Sequence, residues 1–187
     1  NDRNYLPALK GLKEVYAAKE NWPEAIRVLQ MMEAGSRQLE EKSAYLYEIG
    51  ELTRIHIQDQ TMAIDYFEQA IDLWPENVQS ASSLIDVYWE DRNWPRAEPL
   101  LALLIEHSDR SNGKLLHSLY YRSGVCAEQL QKLDKALTHY RQAYELDSTH
   151  LPTLKSMGEL LTAREEWDRA FKIFQTLLVH HRDHLTE

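Results

Sequence analysis

This chain of 187 residues has little cysteine, glycine or proline, and each scarcity excludes something. Cys126 is the only cysteine, so no internal disulfide can form and the redox compartment stays open. Set between Val125 and Ala127 in a helical pattern, it reads as a small apolar filler. Six Gly and six Pro, with 43% hydrophobic and 27% charged residues, suit a folded helical protein and argue against disorder. Positive charge is scarce too: 21 Lys and Arg against 30 Asp and Glu give a net charge of -9. Binding nucleic acid needs clustered cations, so no nucleic-acid partner is expected, and basic or neutral partners are favoured. No apolar run approaches the ~18 residues that cross a bilayer, so no membrane insertion is expected. No leader is visible and a cytoplasmic location is expected, although a chain starting at Asn1 without Met leaves a removed leader open.

Catalytic signatures are missing as well. Asn112-Gly113-Lys114-Leu115 lacks the upstream glycine and the following hydroxyl residue of a phosphate-binding loop. Neither a His-Glu-x-x-His helix nor a Gly-x-Ser-x-Gly turn occurs. His180, His181 and His184 cluster near the C-terminus, but no carboxylate or thiolate is spaced to complete a metal site, and they read as a solvated terminal segment. The sequence therefore implies no catalytic residues, no metal and no cofactor, and the chain is expected not to be an enzyme.

What is present is repetition. Ala25, Ala63, Ala97, Ala136 and Ala170 are separated by 38, 34, 39 and 34 residues. Each opens an apolar ladder of one form, as in Ala63-x3-Phe67-x2-Ala70-x4-Pro75 and Ala136-x3-Tyr140-x2-Ala143. Offsets of three and four put the rungs on one face of a helix, with Phe67, Leu101, Tyr140 and Phe174 as the bulky ones. Gly124 and Gly158 lie twelve residues before their alanines, and Gly50 lies thirteen before Ala63, an extra residue assigned to the inter-helix turn. Glycine inside a helix costs roughly 1 kcal/mol against alanine, so these imply close approach to a partner helix. Tyr16 and Tyr88 lie nine before their alanines.

Turn chemistry agrees with this register. Asn21-Trp22-Pro23-Glu24, Asn93-Trp94-Pro95-Arg96 and Glu166-Trp167-Asp168-Arg169 are versions of one corner, with proline suited to the first helical turn. The tryptophans read as packing at the corner between paired helices. Leu133 takes that place in the fourth unit, and Gln60 departs from it in the second, with Ile57 as the expected substitute. The extra length always follows an odd unit, around Gly35-Ser36-Arg37 and from Ser108 to Gly113, which suggests a four-helix double repeat. The Ser108–Gly113 stretch is the best loop candidate. Pro99 is expected to weaken or bend its helix.

Small residue, aromatic, alanine, aromatic, alanine and proline recur in the order of the tetratricopeptide repeat, which this chain resembles over nearly its whole length. The resemblance implies an all-α, right-handed α-solenoid of antiparallel helix pairs, about ten helices in five repeats covering 6–41, 42–77, 78–115, 116–150 and 151–184, with 185–187 opening a further one. His184-Leu185-Thr186 echoes His150-Leu151-Pro152, and Tyr5-Leu6-Pro7 has no capping helix before it. A segment of a longer array is the expectation, with end-to-end self-association through uncapped terminal repeats.

The resemblance also implies a concave groove lined by the first helix of each pair. Its positions here include Lys10, Glu14, Tyr47, Glu51, Arg54, Ser82, Asp86, Trp89, Glu90, Tyr121, Val125, Glu128, Lys155 and Glu159. The residue after the small site is Glu14, Glu51, Asp86, Val125 and Glu159, acidic in four of five repeats. An acidic stripe beside Tyr47, Trp89 and Tyr121 fits a protein or peptide partner carrying basic and apolar residues; a helix surface simply rich in Glu is the plainer account. Repeat domains of this family that clamp acidic chaperone termini use Lys, Arg and Asn on these helices. Lys10 fits, but Glu14 stands where Asn is expected, so that binding mode is not anticipated. The expected function is a non-catalytic protein-interaction scaffold that binds a peptide or helix of a partner in its concave groove; a substrate-recruiting or regulatory region of a larger multidomain enzyme is the alternative.

Overall fold

The computed structural model describes residues 5–180. Among them the chain is all-α: α1 (Tyr5–Ala18), α2 (Trp22–Gly35), α3 (Leu39–Leu52), α4 (Gln60–Leu73), α5 (Val78–Glu90), α6 (Trp94–Glu106), α7 (Gly113–Gln129), α8 (Leu133–Leu146), α9 (Leu151–Ala163) and α10 (Trp167–His180). A π-helical turn, Thr53–Ile57, extends α3. The chain divides into two compact units, 1–87 and 88–187, with the division inside α5. In the first unit α1 packs on α2, α2 on α3 and α3 on α4. In the second, α6 packs on α7, α7 on α8, α8 on α9 and α9 on α10.

The five register alanines are all buried, none more than 4% exposed, and they mark where second helices press against first ones. The glycines complete that contact. A Cβ on Gly50 would stand 2.5 Å from Phe67 Cε1, one on Gly158 would stand 2.7 Å from Phe174, and one on Gly124 would enter the Tyr140 ring. Each glycine thus receives the bulky rung of its own pair. The first unit's core gathers Leu9, Val28, Leu29, Met32 and Ile49; the second holds Leu137, Tyr140, Leu154, Met157, Leu161 and Ile173 in one cluster.

The turn inside each pair repeats to the residue. Glu20, Gln58, Arg92, Gln131 and Glu165 all take the left-handed conformation, φ 54–61°, each five residues before its alanine. In four pairs a Schellman closure surrounds it: Asn21, Asn93, Lys132 and Glu166 donate from N to the carbonyls of Tyr16, Tyr88, Ala127 and Leu161 at 2.8–2.9 Å. The second pair differs. Its extra residue lies not in the loop but in the π-helical turn at the end of α3, which Asp59 N closes onto Thr53 O at 3.4 Å. Asp59 then caps α4, accepting from Met62 N at 2.9 Å. Ile57 is 42% exposed, so it does not substitute for the corner residue.

The corner tryptophans divide. Trp22 stacks on His56 of the π-helical turn, ring centroids 3.6 Å apart, and Trp94 meets Trp89 edge-on at 5.3 Å. Trp167 is 61% exposed and packs no corner among the described residues. Cys126 is buried and donates to Trp94 O at 3.3 Å; burial pushes its thiol up to about 11, as befits an inert filler. Helix α6 runs on through Pro99. Between α6 and α7 the Asp109 carboxylate accepts from Ser111 N and Oγ, and Asn112 caps α7.

Candidate functional site

The expected binding positions all fall on the first helices of the pairs or the turn that extends one. In the first unit Lys10 and Glu14 lie on α1, Tyr47 and Glu51 on α3, Arg54 in the π-helical turn, and Ser82 and Asp86 on α5. In the second, Trp89 and Glu90 end α5, Tyr121, Val125 and Glu128 lie on α7, and Lys155 and Glu159 on α9. Spacings of four residues place Lys10 with Glu14, Tyr47 with Glu51, Ser82 with Asp86, Tyr121 with Val125 and Lys155 with Glu159 on common helix faces. Lys10, Glu14, Arg54, Ser82, Asp86, Glu90, Lys155 and Glu159 are exposed; the others are half-buried. The reason is local. Once a glycine or its counterpart turns into the pair, the following residue is rotated by about 100° out of that contact.

Several of these side chains already have intramolecular work. Arg54 grips Glu51 with two nitrogens, Nε to Oε1 at 3.0 Å and Nη2 to Oε2 at 2.8 Å, and the bond raises the guanidinium's pKa. The acidic position of the second repeat is therefore neutralised within its own helix. Glu128 accepts from the buried Tyr140 hydroxyl at 2.6 Å; burial first, then this bond, push that phenol upward. Tyr121 packs on Tyr140 and edge-on to His150, and burial raises it also. Tyr47 is raised by burial and then by Glu51.

Sequence reasoning missed the neighbour of Trp89. The Arg122 guanidinium carbon lies 4.6 Å from the Trp89 ring centroid, a cation–π contact. Trp94 meets the Trp89 ring in a T-shaped contact, and Trp89 is half-buried. The available clue was the position of Arg122 one repeat later, beside Tyr121. The His117–His150 edge contact at 4.4 Å also went unread, since no motif joins residues on separate helices. His150 thus contacts both His117 and Tyr121 of α7.

Among the described residues no group of three His, Cys, Asp or Glu could hold a metal ion, and no helix is long and apolar enough to cross a membrane. His180 ends α10, exposed; His181 and His184 lie outside the described residues.

Two stretches, 62–113 and 117–150, match the tetratricopeptide repeat family. No curated protein sequence matches the chain. Among solved structures, MamA of Desulfovibrio magneticus RS-1 superposes with a TM-score of 0.54 at 15% identity, over 96% of this chain and 97% of that one. A MamA structure designated MSR-1 gives 0.56 at 16%, over 98% and 99%. At such identity the likeness is one of fold. With these matches, the glycine-to-aromatic closure within pairs and the packing of successive helices, residues 62–113 and 117–150 carry tetratricopeptide repeats and the chain as a whole is similar to that family.

Proposed function

We propose that this repeat protein is a non-catalytic interaction scaffold that holds an extended peptide or helix of a partner protein against the exposed, groove-lining positions of its first helices. The observation that supports this is the exposure of an acidic residue at the same register in three of the five pairs: Glu14, Asp86 and Glu159 are exposed, with half-buried Tyr47, Trp89 and Tyr121 near them in sequence. Peptide recognition in grooves of this kind sets apolar anchors into pockets and uses charge to select the partner. Because Arg54 occupies Glu51, the acidic contribution rests on Glu14 and Glu159 more than on Glu51. The partner is a segment carrying Lys or Arg beside apolar residues.

The test is the triple change Glu14→Lys, Asp86→Lys and Glu159→Lys. It should abolish capture of basic–apolar peptides from an array while leaving helicity and thermal unfolding intact. Undiminished capture would refute the acidic face.

A second reading concerns the outer faces of α1 and α10. Leu12 and Val15 are 40% and 48% exposed, whereas Met157 and Leu160 at the same repeat positions are 6% and 5%. Phe171 is 63% exposed and its counterpart Leu137 only 4%. These faces fit a further helix pair of the same kind, from additional repeats or from a second copy of the chain. Leu12→Glu with Phe171→Glu should turn any concentration-dependent oligomer into monomer in sedimentation; an oligomer that persists rules out this route.

A further inference from the structure

A cavity of about 380 Å³ lies away from the first-helix positions, where the start of α1, the end of α2 and the start of α3 meet. The longer connection after α2 forms one wall, Gly35 to Gln38. Leu9 and Met32 make a closed floor, and Tyr5, Leu6, Met31 and Tyr45 surround it. Methionine and tyrosine walls adapt to a guest side chain at little entropic cost.

The two charges lining this cavity differ in their satisfaction. Glu41 accepts from Ser36 Oγ at 2.6 Å and stands in the first turn of α3, where the helix dipole favours a carboxylate. Arg37 is exposed, and among the described residues it is the only cation of the lining and has no ion pair.

We infer that this cavity receives a bulky apolar side chain of a partner peptide while a neighbouring carboxylate of that peptide pairs with Arg37. The hollow beside the second long connection supplies the contrast. It is lined by Ile105, Leu116, Tyr120 and Leu146 with Arg110, but Glu106 and Glu145 place two carboxylates there, and it does not suit an acidic segment. The inference is independent of the basic–apolar partner proposed for the first helices.

The probe is a fluorescent octapeptide with the core Glu-Glu-Trp-Leu, compared by anisotropy with one whose core is Lys-Lys-Trp-Leu. The acidic peptide should bind saturably, weaken roughly tenfold in Arg37→Glu and be unchanged in Arg110→Glu. The lysine peptide should bind the wild type less well and gain affinity in Arg37→Glu. Circular dichroism confirms that both variants are folded. Equal binding of the two peptides, no saturable binding, or a loss in Arg110→Glu instead would overturn the assignment. The triple first-helix variant should keep acidic-peptide binding; its loss there would place the peptide on those faces and refute this site.

Discussion

Replacing Gly124 by alanine sets two magnitudes against each other. Alanine gains about 1 kcal/mol of helix propensity over glycine at an interior position of α7. The new Cβ enters the Tyr140 ring, which is fully buried and tied by its hydroxyl to Glu128, so it has no soft direction of retreat. Overpacking of this kind costs about 1–3 kcal/mol, and lengthening the Tyr140–Glu128 bond adds to it. The net expectation is destabilisation by about 1 kcal/mol or more. Gly11→Ala in α1, where a Cβ meets nothing within 4 Å, should stabilise by up to about 1 kcal/mol. Gly158→Ala should fall between them, because Phe174 is only half-buried and can swing aside. Urea unfolding followed by far-UV circular dichroism measures all three. If Gly124→Ala stabilises as much as Gly11→Ala does, the glycine is not there to admit the ring and the packing rationale fails. Tyr140→Leu combined with Gly124→Ala should recover part of the loss.

Three further outcomes follow from the turns, the buried polar contacts and the ion pairs. Gln131→Gly relieves a left-handed residue and should stabilise by about 0.5–1 kcal/mol in the same unfolding assay, whereas Gln131→Val should destabilise. Ser43 donates to Ala70 O at 2.7 Å and receives the Asn77 amide at 2.7 Å, while Asn77 caps Ser80 N; Asn77→Ala should therefore cost about 1–3 kcal/mol. Glu98 receives Lys132 at 2.5 Å and Lys135 at 2.8 Å, and these bonds hold its carboxyl below the usual range. A depressed pKa contributes stability above the unfolded value near about 4.3 and loses it as pH falls through the folded value. The stability gap between wild type and Glu98→Gln should thus be flat above about pH 5 and shrink in acid; a gap that grows in acid reverses the sign.

The alanine register, the glycines opposite bulky rungs and the helical period were legible because they obey rules of local geometry. A helix face repeats every three or four residues, and a small residue where a large one recurs means a close approach. The left-handed turn residues were not legible, since Glu20, Gln58, Arg92, Gln131 and Glu165 carry no glycine to announce them. The extra residue before Ala63 could be counted, but a loop and a π-helical turn have the same count, and only the backbone distinguishes them. Among the binding positions, placement on first helices followed from the register, and the Glu51–Arg54 pair was readable as an i, i+3 spacing. The engagement of Trp89 by Arg122 was not.

The amino-acid order by itself determined the helices, their pairing within each repeat and the acidic, cation-poor surface, because each depends on residues near one another in the chain. Only the tertiary structure decided which side chains meet across repeats: Trp22 on His56, Asn77 on Ser43, Arg122 over Trp89. It also decided that the long connection after α2 leaves a cavity lined by Arg37, which has no ion pair among the described residues. Those contacts join residues about 33 to 34 positions apart. They depend on how one helix pair is rotated against the next, an angle fixed by collective packing and carried by no single motif.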